Sequence, residues 1–253
     1  MDSSQSSPII HPKWRIIGCY FCPKALPFQS ISDNYTRKQE IMGGIFMCCR
    51  YFIRESDPDL LPIIDAALKS SLIARFAKVR PAPLVRFGEV KPTDLVAVIA
   101  SDRQQKAAAF PMTWGFTVPG RSAPLINARS ETASVKQSFS EAWKQHRCII
   151  PASWYYEWQH LPTEDGRKTT TIKYAIQPKN ETITFLCGLY RIENGLPAFV
   201  VLTRDPCDDI AHIHDRMPLM LPKGSIRDWV NPTVKAEDIL PYAVTSMAAE
   251  KAE

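Results

Sequence analysis

Four short segments hold side chains whose types and spacing could do chemistry. The first is Met47-Cys48-Cys49-Arg50-Tyr51. If the chain began at Met47 and the methionine were trimmed, Cys48 would carry a free α-amine beside its thiol. Such a 1,2-aminothiol condenses with an aldehyde to an imine and then closes through sulfur to a thiazolidine. The reference pKa values of about 7.7–8.0 for the amine and about 8.5 for the thiol leave both nucleophilic near neutrality. An internal Cys48 has an amide nitrogen and cannot react this way, and a buried strand cysteine would look the same in sequence.

The second segment, Leu125-Ile-Asn-Ala-Arg-Ser-Glu-Thr132, offers Asn127 as donor and acceptor and Arg129 as a planar fork suited to phosphate. Ser130, Glu131 and Thr132 also read as ordinary caps of a following helix. The third, Trp154-Tyr-Tyr-Glu-Trp158, surrounds one carboxylate with four aromatic rings. On a strand Glu157 shares a face with Tyr155, while Trp154, Tyr156 and Trp158 face the other way. Desolvation there would raise the carboxyl pKa and poise it for proton transfer, although a glutamate on a sheet surface fits the pattern too. The fourth, Ile213-His-Asp-Arg-Met-Pro218, places His214 as an acid–base group beside Arg216, which could bind phosphate or position a carboxylate.

The elements around these segments predict an α+β fold: a single domain with a mostly antiparallel, barrel-like β core flanked by helices. Strands are expected at Cys49–Arg54, Asp94–Ala100, Arg147–Pro151, Trp154–Trp158, Thr171–Ile176, Ile183–Tyr190 and Ala198–Thr203, from β-branched and aromatic content. Glu164-Asp-Gly166 and Glu193-Asn-Gly195 read as turns between them. Helices are expected over Asp57–Ala77, Thr132–His146 and Ser225–Val230, the first with Leu61, Ile64, Leu68 and Leu72 on one face. Residues 1–46 follow no period and contain prolines at 8, 12, 23 and 27. They read as a flexible extension or a mis-assigned gene start, and the patterned domain as 47–253. The start at Met47 is preferred because only it frees the Cys48 amine.

Bulk properties exclude little. The 253 residues are 45% hydrophobic and 23% charged, and no apolar run approaches the roughly 20 residues of a membrane helix. The net charge of +5 permits a polyanionic partner without requiring one. Residues 1–46 hold Lys13, Arg15, Lys24, Arg37 and Lys38 against Asp2, Asp33 and Glu40, so the patterned region is only mildly basic. Seven cysteines without a secretory signal favour free thiols in a reducing compartment. The Cys19-x-x-Cys22 pair lacks a second half, so no metal site and no cofactor are expected.

Taken together and in this order, Met-Cys-x-Arg-Tyr, Arg-Pro-Ala-Pro at 80–83, Trp114-Gly-Phe116, Asn-Ala-Arg-Ser-Glu-Thr, Tyr-Tyr-Glu-Trp and His-Asp-Arg-Met-Pro resemble the SOS-response-associated peptidase family across residues 47–246. The resemblance implies a DNA-repair protein that captures abasic sites in single-stranded DNA, through a thiazolidine with the mature N-terminal Cys48. It implies that Asn127 holds the nucleophilic residue, that Glu157 promotes sugar ring opening, and that His214 assists the Schiff-base chemistry. Arg50 and Arg129 would grip the DNA backbone, joined by Arg216, and Trp114 would support bases. A monomer in the cytoplasm, on the nucleoid or in a nucleus follows as the expected setting. Three features depart from the family pattern: Cys49 where glycine is common, the N-terminal extension, and a C-terminus that stops early, where a terminal strand is expected to be missing or replaced. The alternatives are a cysteine autopeptidase that cuts before Cys48, and a non-catalytic nucleic-acid binder.

Overall fold

The computed structural model describes residues 50–55, 57–79, 83–162 and 169–252. Its centre is a barrel closed by the order of five strands. Strands β3 (Leu95–Ser101) and β4 (Ala107–Trp114) form a hairpin, and β6 (Arg147–Ala152), β9 (Thr184–Glu193) and β10 (Leu196–Arg204) complete the ring, since β10 pairs with both β9 and β4. All these pairings are antiparallel except β10 with β4. The β9–β10 hairpin turns at Asn194-Gly195, both at positive φ (50° and 78°), as an Asn-Gly turn of matching twist requires.

Closure leaves β10 with spare edges, and these position the chemistry. Beyond Phe199 its β4 side passes to a short parallel strand, β5 (Asn127–Arg129), and beyond Val201 its β9 side passes to β11 (Met217–Pro218). Both candidate segments, Asn-Ala-Arg and Met-Pro, are therefore held by backbone ladders to one strand.

A second, open sheet has the order β12 (Met247–Lys251), β8 (Thr169–Pro178), β7 (Trp154–Pro162), β1 (Arg50–Ile53) and β2 (Gly88–Val90). The chain crosses from barrel to open sheet at Ser153, which is buried: Ser153 N donates to Phe52 O, its Oγ accepts from Arg54 N, and its carbonyl accepts from Thr184 Oγ1. The C-terminal residues, where a terminal strand is expected to be missing or replaced, supply the edge strand β12.

The core is built from Trp114, Trp229, Tyr51, Tyr155, Phe116 and Phe199 among others, each fully buried. Gly188 in β9 is required by packing: a Cβ there would stand 2.6 Å from Ile150 Cδ1 and 2.7 Å from the Val200 carbonyl.

The helices are shorter than periodicity predicts. The expected Asp57–Ala77 helix is two, α1 (Leu61–Leu68) and α2 (Leu72–Val79), interrupted where Ser70 Oγ accepts from Leu72 N. Serine competes with the backbone in this way at helix ends. The expected Thr132–His146 helix is likewise two, α3 (Ser130–Ala133) and α4 (Ser140–Gln145), and Val135 between them is 79% exposed. The expected 225–230 helix follows a 3-10 turn as α5 (Ile226–Val230), with α6 (Ala236–Ile239) after it.

Arg147 fastens this last layer to the barrel. It is buried, and its guanidinium donates to the carbonyls of Trp143, Trp229, Asn231 and Val234 at 2.6–3.0 Å. Burial lowers its pKa, with Glu237 opposing; four carbonyl acceptors serve in place of a carboxylate.

Candidate functional site

The loop from Asp205 to Arg216, between β10 and β11, is where the candidate segments meet. Its anchor is Arg216, only 7% exposed. The guanidinium forms a fork on Glu131, Nη1 to Oε1 and Nη2 to Oε2, both at 2.8 Å. It also donates to the Thr203 carbonyl at 2.9 Å and to Asp205. Burial would depress this guanidinium, but Glu131 and Asp205 raise its pKa overall. Burial would likewise raise Glu131, yet the Arg216 bonds and charge hold that carboxyl below its usual value.

This arrangement corrects two expectations. The Glu131 carboxylate, read as a cap, is instead forked on Arg216, and the N-cap position of α3, Arg129, makes no side-chain capping bond. Arg216 is not placed to grip phosphate with its Nη groups, because two carboxylates and a backbone carbonyl already take them.

His214 is 8% exposed. Its Nδ1 accepts a hydrogen bond from the Arg216 backbone N–H at 3.1 Å, and Asp215 Oδ1 lies 2.9 Å from the same nitrogen. The two contacts make opposite demands, since the first needs a lone pair on Nδ1 and the second a proton. Burial lowers the imidazole pKa, helped by His160 and opposed by Asp215 and by a backbone hydrogen bond with Arg216. The Asp215 side chain is 72% exposed, so solvent screens its pull. The lowered pKa favours the neutral ring near pH 7, and the Arg216 N–H bond then calls for a lone pair on Nδ1 and the hydrogen on Nε2.

Glu157 sits on β7 and is 1% exposed. As the period of two requires, it lies on the face of Tyr155 and Gln159. Its cross-strand partner is Tyr174, whose hydroxyl donates to Gln159 Oε1 at 3.2 Å, while Gln159 Nε2 donates to the His212 carbonyl at 2.8 Å. The Glu157 face is thus tied directly to the His214 loop. Asn127 and Arg129 share one face of β5, with Asn127 half-buried and Arg129 exposed.

The opposite face of the open sheet is aromatic and basic. Phe52 stacks on Trp154 (centroids 4.6 Å apart, planes 4° from parallel), Arg54 lies over Trp154 at 5.3 Å, and Lys173 lies over Tyr156 at 3.9 Å. Arg50 pairs with Glu89 at 2.7 Å, and Lys173 reaches the same carboxylate at 3.2 Å.

Trp114 requires a third correction. It is 0% exposed, packs its ring against Tyr51 at 5.4 Å, and donates its indole N–H to the Ile126 carbonyl at 3.0 Å. No ring face remains for a base. It supports β1 from beneath.

Cys48, with Cys49, Cys19, Cys22, the Arg-Pro-Ala stretch at 80–82 and the Glu164-Asp-Gly166 turn, lies outside the described residues. Among the described residues Cys148, Cys187 and Cys207 are free. Burial pushes the first two thiols well above their usual pKa, which makes them poor nucleophiles. Among the described residues no group of three or more His, Cys, Asp or Glu side chains could hold a metal, and no helix is long and apolar enough to cross a membrane.

Sequence reasoning missed Glu131, Asp205 and Gln159 as parts of the site. Each acts through a partner 11 to 85 residues away, and no local pattern signals such a pairing.

Residues 47–253 match the model of the SOS response associated peptidase (SRAP) family, and the chain belongs to it. Among relatives, it is 30% identical over 175 residues to the abasic site processing protein YoaM of Bacillus subtilis, covering 63% of this chain and 74% of that one. It is 28% identical over 203 residues to the abasic site processing protein YedK of Escherichia coli, covering 79% and 86%. In fold it resembles a phage-related protein of Bordetella bronchiseptica, with a TM-score of 0.62 at 23% identity over 81% of this chain and 94% of that one.

Proposed function

We propose that this protein processes abasic sites in DNA, and that it captures them covalently through Cys48 once residues 1–47 are absent. The observation that carries the reading is that the loop holding His214 is bonded both to Gln159, on the Glu157 strand, and to Glu131, just after the Asn127–Arg129 strand, in a chain whose relatives are named for abasic-site processing. Cys48 is two residues from Arg50, whose strand partner Tyr156 adjoins Glu157.

The chemistry needs no cofactor. The Cys48 α-amine attacks the aldehyde carbon of the ring-opened deoxyribose, and loss of one water gives an imine. The thiol sulfur then bonds to that carbon while its proton passes to nitrogen, closing a thiazolidine. Glu157 supplies proton transfer for ring opening and dehydration, as a buried carboxyl can. Neutral His214 accepts and returns protons at Schiff-base steps, and Asn127 orients the nucleophilic residue. Arg129 and Arg50 bind backbone phosphates. The Phe52–Trp154–Tyr156 face with Arg54 and Lys173 favours single strands, because bases can stack on rings beside cations.

The test is an intact-mass and denaturing-gel assay of a chain beginning at Cys48 with single-stranded DNA carrying one abasic site. A heat-stable adduct, lost in Cys48→Ala and absent with undamaged DNA, is expected. No adduct would overturn the reading. The family's peptidase description favours self-cleavage as a second reading. It predicts that the purified 253-residue chain loses its first 47 residues with no added protease.

A further inference from the structure

The ion pair between Glu131 and Arg216 has consequences at the other end of Arg216. One residue joins two functions: its side chain is locked in a bidentate fork on Glu131, and its backbone N–H donates to His214 Nδ1. The bond at Nδ1 decides which ring nitrogen holds the proton, and so which presents a lone pair. Asp205, the other carboxylate on this guanidinium, is 81% exposed and meets only Nη1, so it cannot impose the fork geometry. Thr203 supplies the remaining contact from β10.

We propose that Glu131 is a positioning residue for His214, acting through Arg216: the fork holds the loop so that the Arg216 N–H selects the Nε2–H tautomer. The inference rests on the reading of His214 as a proton-transfer group. Glu131 follows Asn127 and Arg129 by a few residues and stands in the first turn of α3, so the clamp also fixes the distance between the β5 strand and the imidazole. The charged or titratable groups facing His214 are Asp215 on its own loop and His160 on β7, with Arg216 adjoining.

The test uses the chain beginning at Cys48 and its Glu131→Gln and Arg216→Lys variants. Imidazole 15N spectra, with the His214 signal assigned by its loss in His214→Asn, report the tautomer without reference to activity. The wild type shows protonated Nε2 and unprotonated Nδ1 above the His214 pKa. Glu131→Gln, which keeps the size but loses the charge and one acceptor oxygen, shifts both nitrogens toward a tautomer mixture. Arg216→Lys, which keeps charge but loses the fork, does the same to a smaller degree.

Adduct formation on abasic single-stranded DNA falls about tenfold in Glu131→Gln with an altered pH profile, on the scale seen for residues that orient a ligand. Affinity for undamaged single-stranded DNA stays within about twofold, since a positioning residue makes no contact with phosphate. His214 nitrogens unchanged in both variants would overturn the proposal, as would a rate loss uniform across pH. If the wild type forms no adduct, the capture reading fails while the spectra still decide the clamp.

Discussion

Replacing Trp114 with Phe separates a buried scaffold residue from a base-contacting one. The indole is fully buried between Tyr51 and Phe199, and its N–H donates to a carbonyl that also accepts from Val201 N at 2.9 Å. That carbonyl therefore keeps one partner after the change, and the loss is mainly of volume. Removing roughly 40 Å³ at about 24 cal/mol per Å³ costs about 1 kcal/mol. The lost hydrogen bond adds about 1 kcal/mol. A total of about 2 kcal/mol lowers the melting temperature by roughly 4–8 °C in a domain of this size. Thermal denaturation followed by circular dichroism measures the first quantity. Fluorescence anisotropy with undamaged single-stranded DNA, well below the transition, measures affinity, which stays within about twofold because no base contact is lost. Unchanged stability with a large loss of affinity would refute the reasoning and return Trp114 to the DNA.

Gly188→Ala forces a Cβ to 2.6 Å from Ile150 Cδ1 and 2.7 Å from a backbone oxygen, so it destabilises by about 1–3 kcal/mol or more, read by urea denaturation. His214 and His146 both have pKa values lowered by burial, so the unfolded chain takes up protons more readily than the folded one. Stability is intact above the unfolded imidazole value near 6.5 and declines as pH falls below it. His214→Gln removes part of that slope in denaturation series between about pH 7.5 and 5. Arg129→Ala weakens binding to single-stranded DNA without sequence preference and reduces the salt slope by about 1. Glu157→Gln slows adduct formation by about 10²–10⁴-fold while leaving non-covalent binding in place, as measured in quenched time courses.

What could be read in the residues was whatever depends on short range. Alternation along β7 correctly set Glu157 and Tyr155 against Trp154 and Tyr156, and Asn194-Gly195 marked its hairpin. Strand β4 escaped notice because Ala107–Ala109 and Pro111 argue against a strand. Pro111 is tolerated because β10 joins β4 only from Thr113 onward, so the missing N–H faces no ladder on that side. Pro197 in β10 stands in the same situation, one residue before its pairing with β4 begins. The helices were over-extended because apolar spacing carries through Ser70 and through the 134–139 turn, and only tertiary contacts reveal the breaks. The clamp was invisible for a related reason: Glu131 looks like a cap, and its partner lies 85 residues on.

The account turns on a free amine at Cys48, and intact mass spectrometry tests it most directly. Two chains, one starting at Cys48 and one of all 253 residues, are incubated with the same single-stranded abasic DNA. The shorter chain should gain the mass of the DNA less one water, and the full chain should gain nothing unless it first loses residues 1–47. An adduct of equal yield on the uncut chain, or none on either, would contradict the central claim.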